Sequence, residues 1–230
     1  PSWRGIVQSL RRHQGPASFW GLLAVVLVAR YACHALMLLV VLLHEGVPAP
    51  ALPDLVLSWV PYHEGLARWN YILWILCYVP GALYIGWRDR DLFLRFLVLD
   101  GLLALLRGLM IPLTTLGPVV GPDLNAGRGF PLWSTWLSLL DPVSAVFGNA
   151  AGIYLTKDLF FSGHVATTFL LYLFSRRLGR ASRVFLGLNL FTTAVVFLAH
   201  LHYTIDVVGA YAVTYGLYRA GVKAGLVPPA

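Results

Sequence analysis

Residues 19–43 read FWGLLAVVLVARYACHALMLLVVLL, and this stretch decides the fold. Its twenty-five residues carry one charge, Arg30, and no proline. A helix needs about 20 mostly apolar residues to cross the hydrocarbon of a bilayer, and this run supplies them. Working outward, five more runs of the same kind lie at about 69–87, 92–116, 158–176, 184–203 and 205–222. Of the 230 residues, 58% are hydrophobic and 12% charged, and the mean hydropathy is +0.72. A soluble domain of this length holds about 25% charged residues. The expected fold is therefore all-α, an integral membrane bundle of six transmembrane helices. It forms one domain over residues 1–230, whose first 18 or so residues are a cytoplasmic lead segment.

The basic residues set the orientation. Arg4, Arg11, Arg12, Arg88, Arg90, Arg95, Arg176, Arg177, Arg180, Arg183, Arg219 and Lys223 all fall on one side of six alternating spans. Arg68, Arg128 and Lys157 fall on the other. Cytoplasmic loops carry the excess of Lys and Arg, so both termini are expected in the cytoplasm. Clusters placed between apolar runs orient a membrane protein, so the net charge of +7 does not call for nucleic acid. Cys33 and Cys77 lie inside apolar runs and read as small buried hydrophobes. No cleavable leader is expected. Fifteen arginines against two lysines, with abundant Leu, Ala and Gly, point to a bacterial source and hence a cytoplasmic (inner) membrane. The outer side receives the longer connections, about 44–68 and 117–157. The second contains Phe130-Pro131-Leu132-Trp133-Ser134-Thr135-Trp136, a stretch suited to an interfacial helix.

Two short stretches carry the chemistry. They are Phe161-Ser162-Gly163-His164 and His200-Leu201-His202-Tyr203-Thr204-Ile205-Asp206. The six-span topology places His164, His202 and Asp206 at one depth near the extracytoplasmic face. Ionisable groups there are costly, which makes them a site by default. On a helix, a spacing of four puts His202 and Asp206 on one face. The carboxylate then fixes the imidazole tautomer and leaves the other ring nitrogen free to attack. The plainer account is a structural His–Asp pair that closes a turn between spans. Ser162-Gly163 opens the next helix toward a phosphate, and His164 is placed as general acid and base. His200, two residues from His202, reads as pocket lining. No metal site stands out and no cofactor is called for.

These residues resemble a family. Phe161-Ser162-Gly163-His164 and Ala199-His200-Leu201-His202-Tyr203-Thr204-Ile205-Asp206-Val207, with Ala210-Tyr211, are similar to the signatures of the sphingomyelin synthases. These are six-span lipid phosphotransferases allied to the type-2 phosphatidic acid phosphatases. Leu52-Pro53-Asp54, and Arg107-Gly108 with Thr114 and Leu116, resemble two shorter motifs, so the likeness runs from about 52 to 215. It implies a catalytic triad of His164, His202 and Asp206. It also implies transfer of a phosphoalcohol headgroup from a glycerophospholipid donor to ceramide or a diacylglycerol-like acceptor. A hydrolase of the lipid phosphatase or phospholipase C type, and a lipid scramblase or transporter, are the alternatives. A homo-oligomer is compatible with the sequence.

Where the family usually reads Cys-Gly-Asp, this chain has Thr156-Lys157-Asp158, and Val165 stands where threonine is usual. Arg107 is the candidate phosphate clamp, with a buried pair to Asp100 or toward Arg30 as the alternative. Asp158 either meets a cationic headgroup amine or caps the helix that follows. Lys157 is expected to be exposed and to snorkel. If it instead lies beside the headgroup, it disfavours choline and ethanolamine by like-charge repulsion. Ser162, Gly163, Tyr203 and His200 complete the expected binding set.

Overall fold

A computed structural model describes residues 16–129, 131–141 and 155–228. Arg4, Arg11, Arg12 and Phe130, which entered the expectations above, lie outside the described residues. Among the described residues eight α-helices follow in order: α1 (Pro16–Glu45), α2 (Leu55–Trp59), α3 (Glu64–Arg88), α4 (Arg90–Thr114), α5 (Leu132–Leu140), α6 (Gly163–Ser175), α7 (Ala181–Leu198) and α8 (Thr204–Lys223). No strand occurs among the described residues. A helix satisfies all its backbone groups internally, and this suits apolar runs in lipid.

Among the described residues four helices are long and apolar enough to cross a membrane: Ser18–Glu45, Glu64–Arg88, Arg90–Thr114 and Ala181–Leu198. They match the first, second, third and fifth expected spans. The fourth run yields α6, only 13 residues long, or about 20 Å at 1.5 Å per residue. The sixth yields α8, whose 20 residues include Asp206, Arg219 and Lys223 and are correspondingly less apolar.

Two boundaries differ from expectation, and both bear on the site. The fourth helix starts at Gly163 instead of 158, because Ser162 caps it and residues 155–162 run irregularly. The fifth stops at Leu198, five residues before its expected end. His200 there takes a φ of 46°, in the left-handed region, which no helix continues through. His202 therefore lies in a connection, not on a helical face.

α6 is the central element. It packs against α3, α4, α7 and α8, while α1 lies along α4. Phe96, Phe161, Val165, Ala166, Leu170 and Phe174 form the fully buried heart of the bundle. Gly209 on α8 permits a close approach, since a Cβ there would come within 2.6 Å of the Phe160 ring. The short α5 lies against α1, where Trp136 donates its indole N–H to the Ala35 carbonyl at 2.8 Å.

A polar hub joins the end of α1 to the two long connections. Fully buried Glu45 accepts hydrogen bonds from Asn125 Nδ2 at 2.7 Å and from the Thr156 N–H and hydroxyl, both at 2.6 Å. The Lys157 ammonium donates to the carbonyls of Glu45 and Val47, both at 2.6 Å, and pairs with Asp123 at 2.8 Å. Burial works to raise the Asp123 pKa, but the Lys157 bond and charge outweigh it and hold the carboxyl below its usual range. Lys157 is thus not the exposed residue expected. Its side chain is 0% exposed, and its three N–H donors face three oxygens. No donor remains for a headgroup, and the charge is balanced inside the protein. Lys157→Met is accordingly expected to lower stability by about 1–3 kcal/mol, since it leaves the carbonyls of Glu45 and Val47 without their donor and Asp123 without its counter-ion. The preference among donor headgroups should stay unchanged. Thermal unfolding in detergent, alongside competition among donors in mixed micelles, checks both halves.

Candidate active site

Two irregular segments carry the site, and each is held by long-range bonds. The segment before α6 is fixed from α4 by Arg107, which is 8% exposed. Its Nε donates to the Phe161 carbonyl at 2.7 Å, and its Nη2 donates to the Asp158 carbonyl at 3.0 Å and pairs with the Asp158 carboxylate at 2.7 Å. Among the described residues Nη1 has only the Met37 sulfur at 3.6 Å, so this edge keeps donor capacity. The guanidinium lies flat against Gly163, where a Cβ would come within 3.1 Å of Cζ. Any side chain at 163 would push the arginine away from the helix start. Asp100, the alternative partner, is taken by Arg30 Nε at 2.7 Å and by the Tyr78 hydroxyl at 2.8 Å. Asp158 does not cap α6. That place belongs to Ser162, whose Oγ accepts the Val165 N–H at 3.5 Å.

The segment before α8 is fixed from the first outer connection. Asp54 accepts the Thr204 N–H at 2.6 Å and the Thr204 hydroxyl at 2.9 Å, while also capping α2 through Val56 and Leu57. Burial alone would raise the Asp54 pKa, but these bonds prevail and hold it below the usual carboxylate range. The Tyr203 hydroxyl donates toward the carbonyls of Gly117 and Pro118, both at 3.1 Å, and accepts the Leu52 N–H at 3.0 Å. Tyr203 was expected to meet substrate, yet it is 2% exposed and its hydroxyl is spent on main chain. His200 also turns away. Its Nε2 sits 2.9 Å from the Val60 carbonyl and its ring packs beside Tyr62. The short Leu52-Pro53-Asp54 stretch is therefore the strap that shapes the His202 corner.

The two segments meet. The Ser162 N–H donates to the Asp206 carbonyl at 3.2 Å, which stitches the start of α6 to the first turn of α8. His202 Nδ1 lies 3.4 Å from Asp206 Oδ2. Their approach comes from the turn that opens α8, where the same oxygen accepts the Tyr203 N–H at 3.0 Å. His164 lies within electrostatic reach of His202, Arg107 and Asp158. Its ring meets Trp74 edge to face at 5.4 Å, and Trp74 is anchored by its indole N–H to Thr167 Oγ1 at 2.9 Å. Among the described residues, buried His164 Nε2, His202 Nδ1 and Asp206 Oδ1 find no hydrogen-bond partner. Three such atoms at one corner is a concentration that ordinary cores avoid.

The sequence reading missed a strut beneath this corner. Asn189 on α7 donates to the Val165 carbonyl at 3.2 Å and to Thr168 Oγ1 at 3.0 Å, both in the first turns of α6. Its Oδ1 accepts the Tyr211 hydroxyl of α8 at 2.9 Å. One side chain thus spaces the helix bearing His164 from the helix bearing Asp206. A lone polar residue within an apolar run was the only signal. Asn189→Leu removes three hydrogen bonds, while Thr168 Oγ1 keeps the His164 and Val165 carbonyls and the Tyr211 hydroxyl keeps Thr193 Oγ1 at 2.8 Å, so the cost is about 1 kcal/mol. The expected result is a turnover rate lowered about tenfold with donor KM little changed, measured in mixed micelles.

The PAP2 superfamily C-terminal family model matches residues 157–222, which hold both segments. Human phosphatidylcholine:ceramide cholinephosphotransferase 1 is 29% identical over 234 residues, covering 91% of this chain and 54% of the relative. The pig protein of the same name is 28% identical, covering 86% and 51%. Human sphingomyelin synthase-related protein 1 is 32% identical over 194 residues, covering 78% and 46%. The chain spans about half the length of these curated relatives.

Proposed function

We propose that the chain is a sphingomyelin synthase-like transferase, as its likeness to the relatives above supports, and that it transfers a phosphoalcohol headgroup from a glycerophospholipid to a lipid alcohol such as ceramide, releasing diacylglycerol. The observation that carries this reading is the stitched corner, in which the start of the His164 helix is bonded to the Asp206 turn beside His202. Asp206 faces Nδ1 of His202, so Nε2 is the attacking nitrogen. It forms a bond to phosphorus as the bond from phosphorus to the glycerol oxygen breaks. His164, as imidazolium, gives its proton to that oxygen, and diacylglycerol leaves. The free Nη1 edge of Arg107 and the N-terminus of α6 balance the phosphoryl charge. An acceptor hydroxyl then enters, loses its proton to His164 and takes the phosphoryl group, restoring His202. Burial of the corner keeps water from competing, so that transfer outruns hydrolysis.

The membrane setting of this proposal is six spans, with α6 and α8 completing the four longer ones. Both termini face the cytoplasm and the His202 corner faces outward, in a bacterial cytoplasmic membrane. The skew of basic residues supports it. A membrane-impermeant histidine reagent should then inactivate oriented vesicles from the outer side only.

The decisive test incubates purified protein with headgroup-labelled phospholipids, with and without ceramide. Label appearing in a new ceramide phosphodiester, together with stoichiometric diacylglycerol, supports transfer. Label released only as water-soluble phosphoalcohol would make the protein a phospholipase C-type hydrolase.

A further inference from the structure

His164 differs from His202 in how it is held. His202 has the Asp206 carboxylate beside Nδ1. Among the described residues His164 Nε2 finds no partner, and the imidazole is set instead against the Trp74 ring of α3, edge to face at 5.4 Å. Trp74 is clamped in turn. Its indole N–H donates to Thr167 Oγ1 at 2.9 Å, and that hydroxyl donates to the Gly163 carbonyl at 2.8 Å, back in the turn that carries His164. Its ring also stacks on Tyr78, at 5.0 Å with 15° between the planes. The buried Tyr78 hydroxyl donates to Asp100 Oδ2 of α4 at 2.8 Å, and the same oxygen takes Arg30 Nε of α1 at 2.7 Å. A line of contacts thus runs from an ion pair between α1 and α4, through two stacked rings of α3, to the histidine that handles the proton.

Stability alone does not call for this arrangement. The Asp100 side chain is 1% exposed and lies among three long apolar helices. An apolar trio of like volume would join those helices as well or better, and ionisable groups within spans mark function by default. What the trio supplies, and leucines would not, is direction. A phenol ring in apolar packing is free to slide. A phenol tied to a carboxylate that is itself tied to a guanidinium is not. Trp74 takes its tilt from Tyr78, and the imidazole takes its own from Trp74. A general acid must keep its N–H within hydrogen-bond reach of the leaving oxygen, and a misplacement of about 1 Å can cost about 10²-fold in rate.

We infer that Arg30, Asp100 and Tyr78 are positioning residues for the proton transfer, acting on His164 through Trp74. This inference rests on the role proposed above for His164. The nucleophile is held separately, by Asp206 and by the bonds from Asp54 to Thr204. The device therefore governs the proton given to the leaving alcohol and taken from the incoming one, and leaves the bond from His202 to phosphorus alone.

The test compares two leaving groups on the same protein. The glycerol oxygen must receive a proton as its bond to phosphorus breaks. A nitrophenolate leaves with the bonding pair and needs none, so the first turnover of a nitrophenyl headgroup phosphodiester reports attack by His202 without the proton. Both rates are read in one mixed-micelle preparation, and their ratio cancels any unfolded fraction. Tyr78→Phe, which keeps the ring and drops the bond to Asp100, should lower diacylglycerol release about tenfold, and Trp74→Leu about 10²-fold. Donor KM should change little, and the nitrophenol burst should stay close to wild type. In an Arg30→Met/Asp100→Leu background, which removes both charges together, Tyr78→Phe should add no further loss. Equal losses for both leaving groups, or unchanged rates for both in Tyr78→Phe and Trp74→Leu, would overturn the assignment. The transferase reading fails separately. If headgroup label goes only to water, diacylglycerol is still released and the ratio still reads His164. If the wild type releases no diacylglycerol, the positioning rests on the His164 imidazole resonance of protein made with isotope-labelled histidine. That resonance should move in Tyr78→Phe, and an unmoved one overturns the inference.

Discussion

His202→Ala is expected to abolish headgroup transfer, with a fall of at least about 10⁴-fold, in line with loss of a nucleophile elsewhere. The reason is local. Of the other histidines near the corner, His200 is turned to Val60 and His164 faces Trp74. Neither stands beside a carboxylate as His202 does at 3.4 Å. The fold should survive, because the bonds that shape this turn come from Asp54 to Thr204 and from Tyr203 to Gly117 and Pro118, none of them through the imidazole. The measurement is turnover of headgroup-labelled donor, with a parallel search for protein-bound label that is acid-labile and base-stable. Wild type should accumulate that label when the acceptor is withheld, and the variant should not. Residual activity above a few per cent would remove His202 from the nucleophile's role.

How much of this was legible beforehand depends on the range of the interaction. The long apolar runs were legible because bilayer thickness dictates their length, and no partner is needed to read them. The end of α7 was not. Nothing between Leu198 and His202 is Gly or Pro, and the break rests on His200 adopting a φ that few non-glycine residues take. It is held there by Val60, 140 residues earlier in the chain. His202 and Asp206 were paired on a helical spacing of four, yet they approach through a capping turn. Lys157 shows the same limit more sharply. Beside Asp158 and near a motif it read as a snorkelling lysine or, alternatively, a headgroup neighbour, but its partners Glu45 and Val47 lie more than a hundred residues away. Local spacing cannot reveal a bond of that range. Asp54 was noticed as part of a short motif, and its work became visible only when Thr204 was placed against it.

Asp206→Asn is expected to lower turnover by about 10²- to 10⁴-fold while the protein stays folded, as for other histidines deprived of an orienting carboxylate. Asp206 has two duties. One oxygen accepts the Tyr203 N–H at 3.0 Å and lies 3.4 Å from His202 Nδ1. An asparagine oxygen can still accept the Tyr203 N–H, so the first turn of α8 keeps its cap. The charge is what disappears. Without it, nothing beside Nδ1 stabilises the cationic ring that forms once Nε2 is bonded to phosphorus. The amide that keeps this cap presents the same oxygen to Nδ1, so the tautomer is kept and the charge alone is lost. That loss falls on the chemical step, so donor KM should change little beside kcat. Unfolding in detergent should stay close to wild type, since a buried carboxylate is exchanged for an isosteric amide that keeps its main hydrogen bond. Asp206→Ala separates the two duties, losing the cap as well as the charge and falling in stability by about 1 kcal/mol. A kcat for Asp206→Asn within threefold of wild type would reduce the pair to a structural turn, and would leave His202 to be oriented by some other group.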